Sequence, residues 1–433
     1  MEPHSVVKKF LEAHGFFSDF DLKSLTNEVI SDMNDGLSGK ESYQDMFRTY
    51  FDPSSIVMQD KSVIVIDAGG TNFRTALVTF RQDGSSSISD FQKTRMPGTE
   101  CELCKKDFFD KIAESIERFK DKYDEINFCF SYAMTITPDH DGILTNFSKE
   151  VKAPEVVGCA IGAELKKSLA AHGWSRIPRV ILLNDAAAAL IAGSGTSKYS
   201  SYIGMILGTG LNCAYLQPER DEWNLKKQII VCESAKFGGF VKSDFDILLD
   251  EKSLRPGTSP YEKLCAGAYL GQLALETIQA AAKEGVFSPA FSKSLAEREK
   301  LSLIEVSDFL EMSGADNGTF SNQFDDEGAT AEDRKNLFSI FDALVNRTAQ
   351  LAAVLLAACV IQCGEGKTAE KPVCISCNGT TFFKTYKVVG RTKEYLAQIL
   401  DGKNLHYEML RDEADIAVGT AKAALYAPEK LTM

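Results

Sequence analysis

The chain has 433 residues, of which 44% are hydrophobic and 25% are charged, a composition typical of a globular protein and not of a disordered or fibrous one. Its 48 Lys and Arg against 61 Asp and Glu give a net charge of −13 at neutral pH, which argues against nucleic acid or an anionic membrane as partner. The length predicts two or three domains.

No segment has the pattern of a secretion signal, because residues 1–10 are polar and carry Lys8-Lys9. The longest apolar stretch, 351–361, is shorter than the ~20 residues of a spanning helix. Eleven scattered Cys fit reduced thiols better than a small disulfide framework. We therefore expect a soluble, cytoplasmic protein.

Strand-like and helix-like segments alternate in chain order, which favours an α/β fold. The apolar β-branched run 62–67 predicts a strand that ends in a Gly turn, and 75–80 predicts its returning partner. An Ala-rich helix is predicted over 185–192, at the end of this first block. Between the strand at 75–80 and this Ala-rich helix, the sequence predicts a helix (107–120), a strand (126–132), a helix (160–172) and a strand (179–184).

From Ser201 the pattern starts again, with a strand at 202–207, a Gly turn and a returning strand at 212–216. This weak internal repeat predicts two lobes, each of which opens with a strand, a Gly turn and a strand. Long helices (261–283 and 332–363) and two more strands (373–377 and 405–410) are predicted to follow.

The first Gly turn, Asp67-Ala68-Gly69-Gly70-Thr71-Asn72-Phe73-Arg74, combines a carboxylate, two glycines, a hydroxyl and an amide. Glycines let backbone N–H groups approach a phosphate, and a carboxylate can hold Mg²⁺ through water. A plain hairpin turn is the alternative.

The second Gly turn, Leu207-Gly208-Thr209-Gly210-Leu211-Asn212, again has a hydroxyl at its tip. Two such turns, one in each lobe, suggest the paired phosphate loops of a nucleotide held in a cleft. Neither turn has the Walker A or the dinucleotide-binding spacing.

Asn184-Asp185 lies where a predicted strand ends and a helix begins. Asp185 is either a helix cap or a general base facing the crevice of an α/β protein. Two CxxC pairs, at 101/104 and 374/377, have a zinc-like local spacing. The second pair lies on a predicted strand, where positions three apart face opposite sides, so we expect neither pair to bind metal.

These motifs, in this order, resemble the large, eukaryotic-type hexokinase family. The resemblance covers nearly the whole chain. Residues 46–50 resemble the family's segment before its first phosphate loop, and its sugar-binding signature is resembled by Phe130-Ser131-Tyr132 and by Ser148-Lys149 with Lys152-Ala153. A further long match with a sugar-binding Glu comprises Asp250-Glu251, Arg255-Pro256-Gly257, Glu262-Lys263 and Gly267-Ala268-Tyr269-Leu270-Gly271.

The resemblance implies a two-lobed actin-like ATPase fold, duplicated from a ribonuclease-H-like unit, in a single-unit chain of bacterial size. The implied small domain comprises residues 59–184 and 417–433, and the large domain 1–58 and 185–416. A monomer or homodimer is expected.

The resemblance also implies that the chain transfers the γ-phosphoryl group of Mg-ATP to the 6-hydroxyl of a hexose. Glucose is the first candidate for this hexose, and Asp185 is the implied base. Lys149 is the implied cation for the sugar or the transferring phosphate, and Asp67 positions Mg²⁺ through water. The implied nucleotide-binding residues are Asp67, Gly69, Gly70, Thr71, Asn72, Arg74, Gly208, Thr209, Gly210, Asn378, Gly379 and Thr380. The implied sugar-binding residues are Ser131, Ser148, Lys149, Asn184, Asp185, Asn212, Glu233 and Glu262.

The sequence departs from the family at its second sugar-binding Glu, where Lys236 precedes Phe237. Either Glu233, three residues upstream, supplies the carboxylate or this sugar contact is lost, because an ammonium cannot accept a hydroxyl proton. Asn378-Gly379-Thr380 differs from the usual adenosine segment, and Ala417-Val418-Gly419-Thr420 departs from the usual Gly-rich form.

Three alternatives stay open: a kinase for mannose, fructose or an amino sugar, a sugar sensor without turnover, and an actin-like or chaperone-type ATPase. The sugar signature argues against the ATPase, and the retained base against the sensor.

Overall fold

The structure of the protein, a computed structural model, describes residues 5–16, 21–70, 72–147, 151–314, 324 and 328–426. The strands are β1 (Phe47–Arg48), β2 (Lys61–Gly69), β3 (Asn72–Phe80), β4 (Ser86–Arg95), β5 (Glu125–Phe130), β6 (Ala133–Ile136), β7 (Gly142–Asn146), β8 (Val180–Leu183), β9 (Ser201–Leu207), β10 (Leu211–Gln217), β11 (Gln228–Val231), β12 (Val373–Asn378) and β13 (Tyr407–Met409). The helices are α1 (Ser5–Ala13), α2 (Leu22–Leu37), α3 (Lys105–Ile116), α4 (Ile161–Ala171), α5 (Asp185–Ala192), α6 (Asp244–Lys252), α7 (Pro260–Cys265), α8 (Gly267–Lys283), α9 (Pro289–Glu297), α10 (Leu303–Gly314), α11 (Ala331–Cys363), α12 (Thr380–Lys384), α13 (Val388–Leu400) and α14 (Ile416–Lys422).

The strands of the small lobe form a five-stranded sheet in the order β4-β3-β2-β5-β8. β2 to β4 run antiparallel as a meander, and β5 and β8 join β2 in parallel. The apolar faces of α3 and α4 cover this sheet, and their buried side chains share one core with β2, β5 and β8. On the other side of the sheet, residues 421–425 pack against Val63, Val65, Val78 and Phe80.

The strands of the large lobe form a six-stranded sheet in the order β1-β11-β10-β9-β12-β13. β9 to β11 run antiparallel, and β12 and β13 extend the sheet in parallel. The 33-residue α11 is the central helix of its core. Of the helices described, this one is long and apolar enough to cross a membrane, but 89% of its most apolar window is buried inside the protein.

Both sheets follow one plan, an antiparallel meander whose first strand is extended by two parallel strands. β4-β3-β2-β5-β8 and β11-β10-β9-β12-β13 therefore match strand for strand, and β1 is added at the edge of the second. This repeat confirms the predicted duplicated, two-lobed α/β architecture. The domain boundaries stay a prediction: the large-lobe sheet takes β1 from before the small-lobe strands and β9 to β13 from after them.

The sequence prediction was wrong about the helix at 261–283, which the structure divides into α7 and α8. Ala266 is extended, with φ −87° and ψ 152°, and Gly267 starts a new helix. The Gly267 N–H donates to the Gly208 carbonyl over 2.8 Å. The break thus brings the start of α8 against the second Gly turn. The β6-β7 hairpin, β1 and β11 were not predicted.

Candidate active site

The first set of candidate residues lies along one edge of the small-lobe sheet. Asp67 of β2 is paired with Cys129 of β5, and Cys129 with Leu183 of β8. Because these strands are parallel, the residues that follow each of them meet at the same edge. This brings together Asp67 and Ser131 with Asp185, which is two residues beyond Leu183. Burial, with the nearby Asp67 and Asp185 carboxylates, raises the pKa of the Cys129 thiol.

The first Gly turn is the tip of the β2-β3 hairpin. Arg74 Nη1 donates to Asp67 Oδ2 over 2.6 Å, across the pair that joins these residues in the ladder. The Tyr132 hydroxyl donates to the Gly70 carbonyl over 2.9 Å, and burial together with Asp67 raises the pKa of this phenol. Gly69 is so close to Ser131 that an added Cβ would lie 3.2 Å from its Oγ. The predicted Thr71 is outside the described residues.

Asp185 is the first residue of α5, and Asn184 is its N-cap. Asn184 Oδ1 accepts from the Ala186 N–H over 2.8 Å, and Asp185 Oδ1 accepts from the same group over 2.9 Å. The capping role that the sequence left open for Asp185 is therefore filled by Asn184. The Asp185 carboxylate is half-buried at the sheet edge.

The second Gly turn is packed on three sides. Its Gly208 carbonyl accepts from the Gly267 N–H of α8 and, over 2.8 Å, from the Thr381 hydroxyl of α12. The Leu211 N–H donates to Glu262 Oε2 over 2.9 Å. The Thr209 and Gly210 N–H groups, in contrast, donate to no acceptor in the described part of the chain, and Thr209 is exposed. Two adjacent N–H groups and a hydroxyl can donate hydrogen bonds to the oxygens of a phosphate.

The candidate sugar residues of the large lobe lie just behind this turn. Asn212 Nδ2 donates to Glu233 Oε1 over 3.1 Å. Glu262, bound to Leu211, is on the same side of the turn, so that a Cβ on Gly210 would lie 2.7 Å from its Oε2. The structure thus brings together three of the predicted sugar-binding residues: Asn212, Glu233 and Glu262.

Glu233 is the carboxylate at the segment where the sequence departs from the family. Burial raises its pKa, Lys236 opposes this rise, and Asp45 and Asp185 add to it. Its φ of 52° is rare for a residue with a side chain and is often found at functional sites. Lys236 is paired with Asp45. Sequence reasoning missed Asp45, which is 191 residues from Lys236.

The predicted adenosine segment also lies beside the second turn. Gly379 is so close to the Leu207 carbonyl that a Cβ would overlap it. Asn378 Nδ2 donates to the Ala414 carbonyl over 2.8 Å, and the Gly379 N–H donates to Glu413 over 2.9 Å. Thr380 begins α12.

One hydrogen bond crosses between the lobes at the sugar signature. Arg255 Nη2 donates to the Phe147 carbonyl over 3.2 Å, directly before Ser148-Lys149. Ser148 and Lys149, both predicted site residues, are outside the described residues. No cluster of three or more potential metal-ligating His, Cys, Asp or Glu side chains is present in the described ranges.

The duplicated lobes and the glycine turn at each lobe edge define a protein of the two-lobed actin-like ATPase type. The chain belongs to the hexokinase family: two family models, both described as hexokinase, match residues 7–194 and 202–426.

Several curated relatives are hexokinases. Hexokinase-1 of Schizosaccharomyces pombe is 28% identical over 58% of this chain and 56% of its own length. The hexokinase-like 1 protein of Arabidopsis thaliana is 26% identical over 95% of this chain and 88% of its own length. Human hexokinase-2 is 26% identical over 84% of this chain. The matched region spans about half of the fission yeast relative and 41% of the human one.

Two solved hexokinase structures share the fold. The hexokinase from Schistosoma mansoni, complexed with glucose, superposes with a TM-score of 0.76 at 21% identity, covering 97% of this chain and 99% of that one. A second hexokinase structure gives a TM-score of 0.76 at 19% identity, covering 98% of this chain and 100% of that one.

Proposed function

We propose that this chain transfers the γ-phosphoryl group of Mg-ATP to the 6-hydroxyl of a hexose, with glucose as the first candidate. The observation that carries the proposal is the meeting of Asp185 with the first Gly turn at one sheet edge, together with two carboxylates and an amide behind the second turn. Family membership supports the reaction class, and the carboxylates support a sugar as acceptor.

Asp185 is the proposed general base. As the phosphoryl group is transferred, its carboxylate accepts the proton of the 6-hydroxyl. Asn184 caps α5 and so fixes the direction in which the helix presents Asp185. Asn212, Glu233, Glu262 and Ser131 hydrogen-bond the other sugar hydroxyls. No covalent bond to the protein is needed, since positioning and charge stabilisation account for this class of reaction.

The two turns hold the phosphates in this proposal. The Thr209 and Gly210 N–H groups and the Thr209 hydroxyl donate to phosphate oxygens, with Gly69 and Asn72 opposite. Asp67 fits a Mg²⁺ ion bound through water, because its carboxylate lies at the turn and Mg²⁺ keeps several waters in such sites. When bound, the ion neutralises charge on the phosphates. Lys149 stays the proposed cation for sugar or phosphate.

The cross-lobe bond from Arg255 to the Phe147 carbonyl supports a closed arrangement in which water is kept from the phosphoryl group. All eleven cysteines are unpaired, which supports action in a reducing, cytoplasmic compartment.

The test is ADP release from Mg-ATP with glucose, mannose, fructose, glucosamine or no sugar. Sugar-dependent release with a 6-phosphate product is expected, and the ranking of sugars identifies the acceptor. ATP hydrolysis that is independent of sugar would instead favour an ATPase. Sugar binding without turnover would favour a sensor.

The variant Asp185→Asn tests the role of Asp185 as the base without changing the other residues of the site. Because Asn keeps an oxygen for the Ala186 N–H, the fold and sugar binding should persist, while kcat falls by ~10²-fold or more, the usual scale for a lost general base. Asp21→Asn, at the N-cap of α2, is the matched control and should retain full activity. An active Asp185→Asn enzyme would contradict the assignment.

A further inference from the structure

Three charged side chains, Glu233, Lys236 and Asp45, lie at the edge of the candidate sugar site. Glu233 begins the 3₁₀ turn 234–236, and Lys236 ends it, with its N–H donating to the Glu233 carbonyl over 3.0 Å. The Lys236 ammonium contacts the Asp45 carboxylate. Lys236 therefore pairs with one carboxylate, Asp45, and shares a turn with a second, Glu233, which accepts from Asn212.

Asp45 is held in place by its own segment. The Tyr43 and Gln44 N–H groups both donate to the Asp32 carboxylate of α2, over 2.7 and 3.0 Å, and the Gln44 side chain donates to it as well. Gln44 and Met46, on either side of Asp45, are buried. Asp45 is thus fixed by the backbone, whereas Lys236 has a long and flexible side chain.

The charges of these three side chains act on one another. Lys236 lowers the pKa of Glu233, and Asp45 raises it. If Asp45 were neutral, the Lys236 ammonium would lose its ion-pair partner, and Glu233, whose carbonyl already accepts from the Lys236 N–H, offers it another carboxylate. A Glu233 carboxylate that is paired with an ammonium has fewer lone pairs for sugar hydroxyls.

We propose that Asp45 is a positioning residue for sugar binding, which draws the Lys236 ammonium away from Glu233 and leaves that carboxylate available to the sugar. The inference rests on the proposed function, since it assigns Glu233 to sugar recognition. It also accounts for how a lysine is tolerated where the family has a sugar-binding glutamate.

The experiment compares Asp45→Asn, Lys236→Gln and the double variant Asp45→Asn/Lys236→Gln. Binding of the preferred hexose is measured by calorimetry without ATP, and KM and kcat are measured with ATP. Asp45→Asn is expected to weaken sugar binding and raise KM about fivefold, the scale of one partly exposed ion pair, with kcat nearly unchanged. In the double variant the freed ammonium is gone, so affinity returns to within about twofold of the unaltered chain.

The return of sugar affinity in the double variant is expected only if Asp45 acts through Lys236, because a purely structural role of Asp45 would leave the double variant as weak as Asp45→Asn. Asp35→Asn, on α2, removes an exposed pair with Lys40; it is the matched control and should leave sugar binding unchanged. Thermal unfolding of every variant checks that the fold is kept.

If the double variant binds as weakly as Asp45→Asn, or if Asp45→Asn binds normally, the inference is overturned while the proposed function stands. If the unaltered chain binds no hexose at all, both are overturned.

Discussion

The two glycine turns have the same place in their lobes but are supported differently. The first is the tip of a hairpin, tied by the Arg74–Asp67 ion pair and one bond from Tyr132. The second is enclosed by α8, α12 and Glu262, which bind its Gly208 carbonyl and its Leu211 N–H.

This difference determines whether a substitution at each turn should first change folding stability or activity. In the second turn the surrounding elements fix the backbone, so that the Thr209 and Gly210 N–H groups point out with no protein acceptor among the described residues. In the first turn the charged Asp67 is part of the support itself. Substitutions around the second turn should therefore cost folding stability first, and substitutions in the first turn should cost activity first.

The largest effect is expected for Gly379→Ala, beside the second turn. A Cβ there would overlap the Leu207 carbonyl, and φ is 124°, a conformation that L-residues rarely adopt. Overpacking and backbone strain each cost about 1–3 kcal/mol, so unfolding in urea should show a loss of about 3 kcal/mol or more. Gly84→Ala, also at positive φ but with no atom within 4 Å, is the control and should lose only about 1 kcal/mol. Equal losses would mean that the turn is not tightly packed.

The second prediction concerns the pH dependence of sugar binding through Glu233. The free protein holds the Glu233 pKa above its usual value, and sugar hydroxyls donate to the ionised form. Affinity should therefore fall as the pH drops through this raised pKa, by about tenfold per unit. For folding the sign is opposite: the raised pKa gives a stability contribution that is present at low pH and lost as the pH rises through it.

Calorimetric titration with the preferred sugar at a series of pH values measures this effect. In Glu233→Gln binding should be weaker by about tenfold, the scale of one hydrogen bond to a charged group, and the pH step should disappear. A step that persists in this variant would assign the titration to another group.

A smaller effect is expected for Thr381→Val, which removes the hydroxyl that binds the Gly208 carbonyl but keeps the shape. Thr381 is buried, so the carbonyl loses a partner that water cannot replace. The free energy of unfolding should fall by about 1–2 kcal/mol, and KM for Mg-ATP should rise because the turn loosens. Thr381→Ser, which retains the hydroxyl, should keep KM near that of the unaltered chain. A larger KM change in Thr381→Ser would contradict the role given to this bond.

The sequence predicted the parts of this site that are set by local pattern. α5 begins and ends at the predicted residues, 185–192, because an apolar strand, a capping Asn184 and an Ala-rich run specify it locally. Both strand–turn–strand units were also predicted. The break at Ala266 was not, since it depends on the contact of Gly267 with Gly208, far away in the chain.

Ion pairs between segments that are distant in the chain could not be predicted for the same reason. Periodicity gives no information on which surface segment faces another, so the Asp45–Lys236 pair could not be predicted from either segment alone. The resemblance identified Lys236 as a departure, and the structure adds its partner and the Asn212–Glu233 bond.

The smallest change in stability is expected for Arg74→Gln in the first turn. Arg74 is 38% exposed, so its ion pair with Asp67 should contribute less than about 1 kcal/mol to folding. The Asp67 carboxylate, however, loses an ion-pair partner across the hairpin, and KM for Mg-ATP should rise about two- to fivefold at unchanged sugar affinity. Arg95→Gln, which removes an exposed pair with Glu100, is the control and should change neither quantity. If Arg74→Gln instead destabilises the fold as much as Thr381→Val, the two turns are supported alike and the contrast between them is wrong.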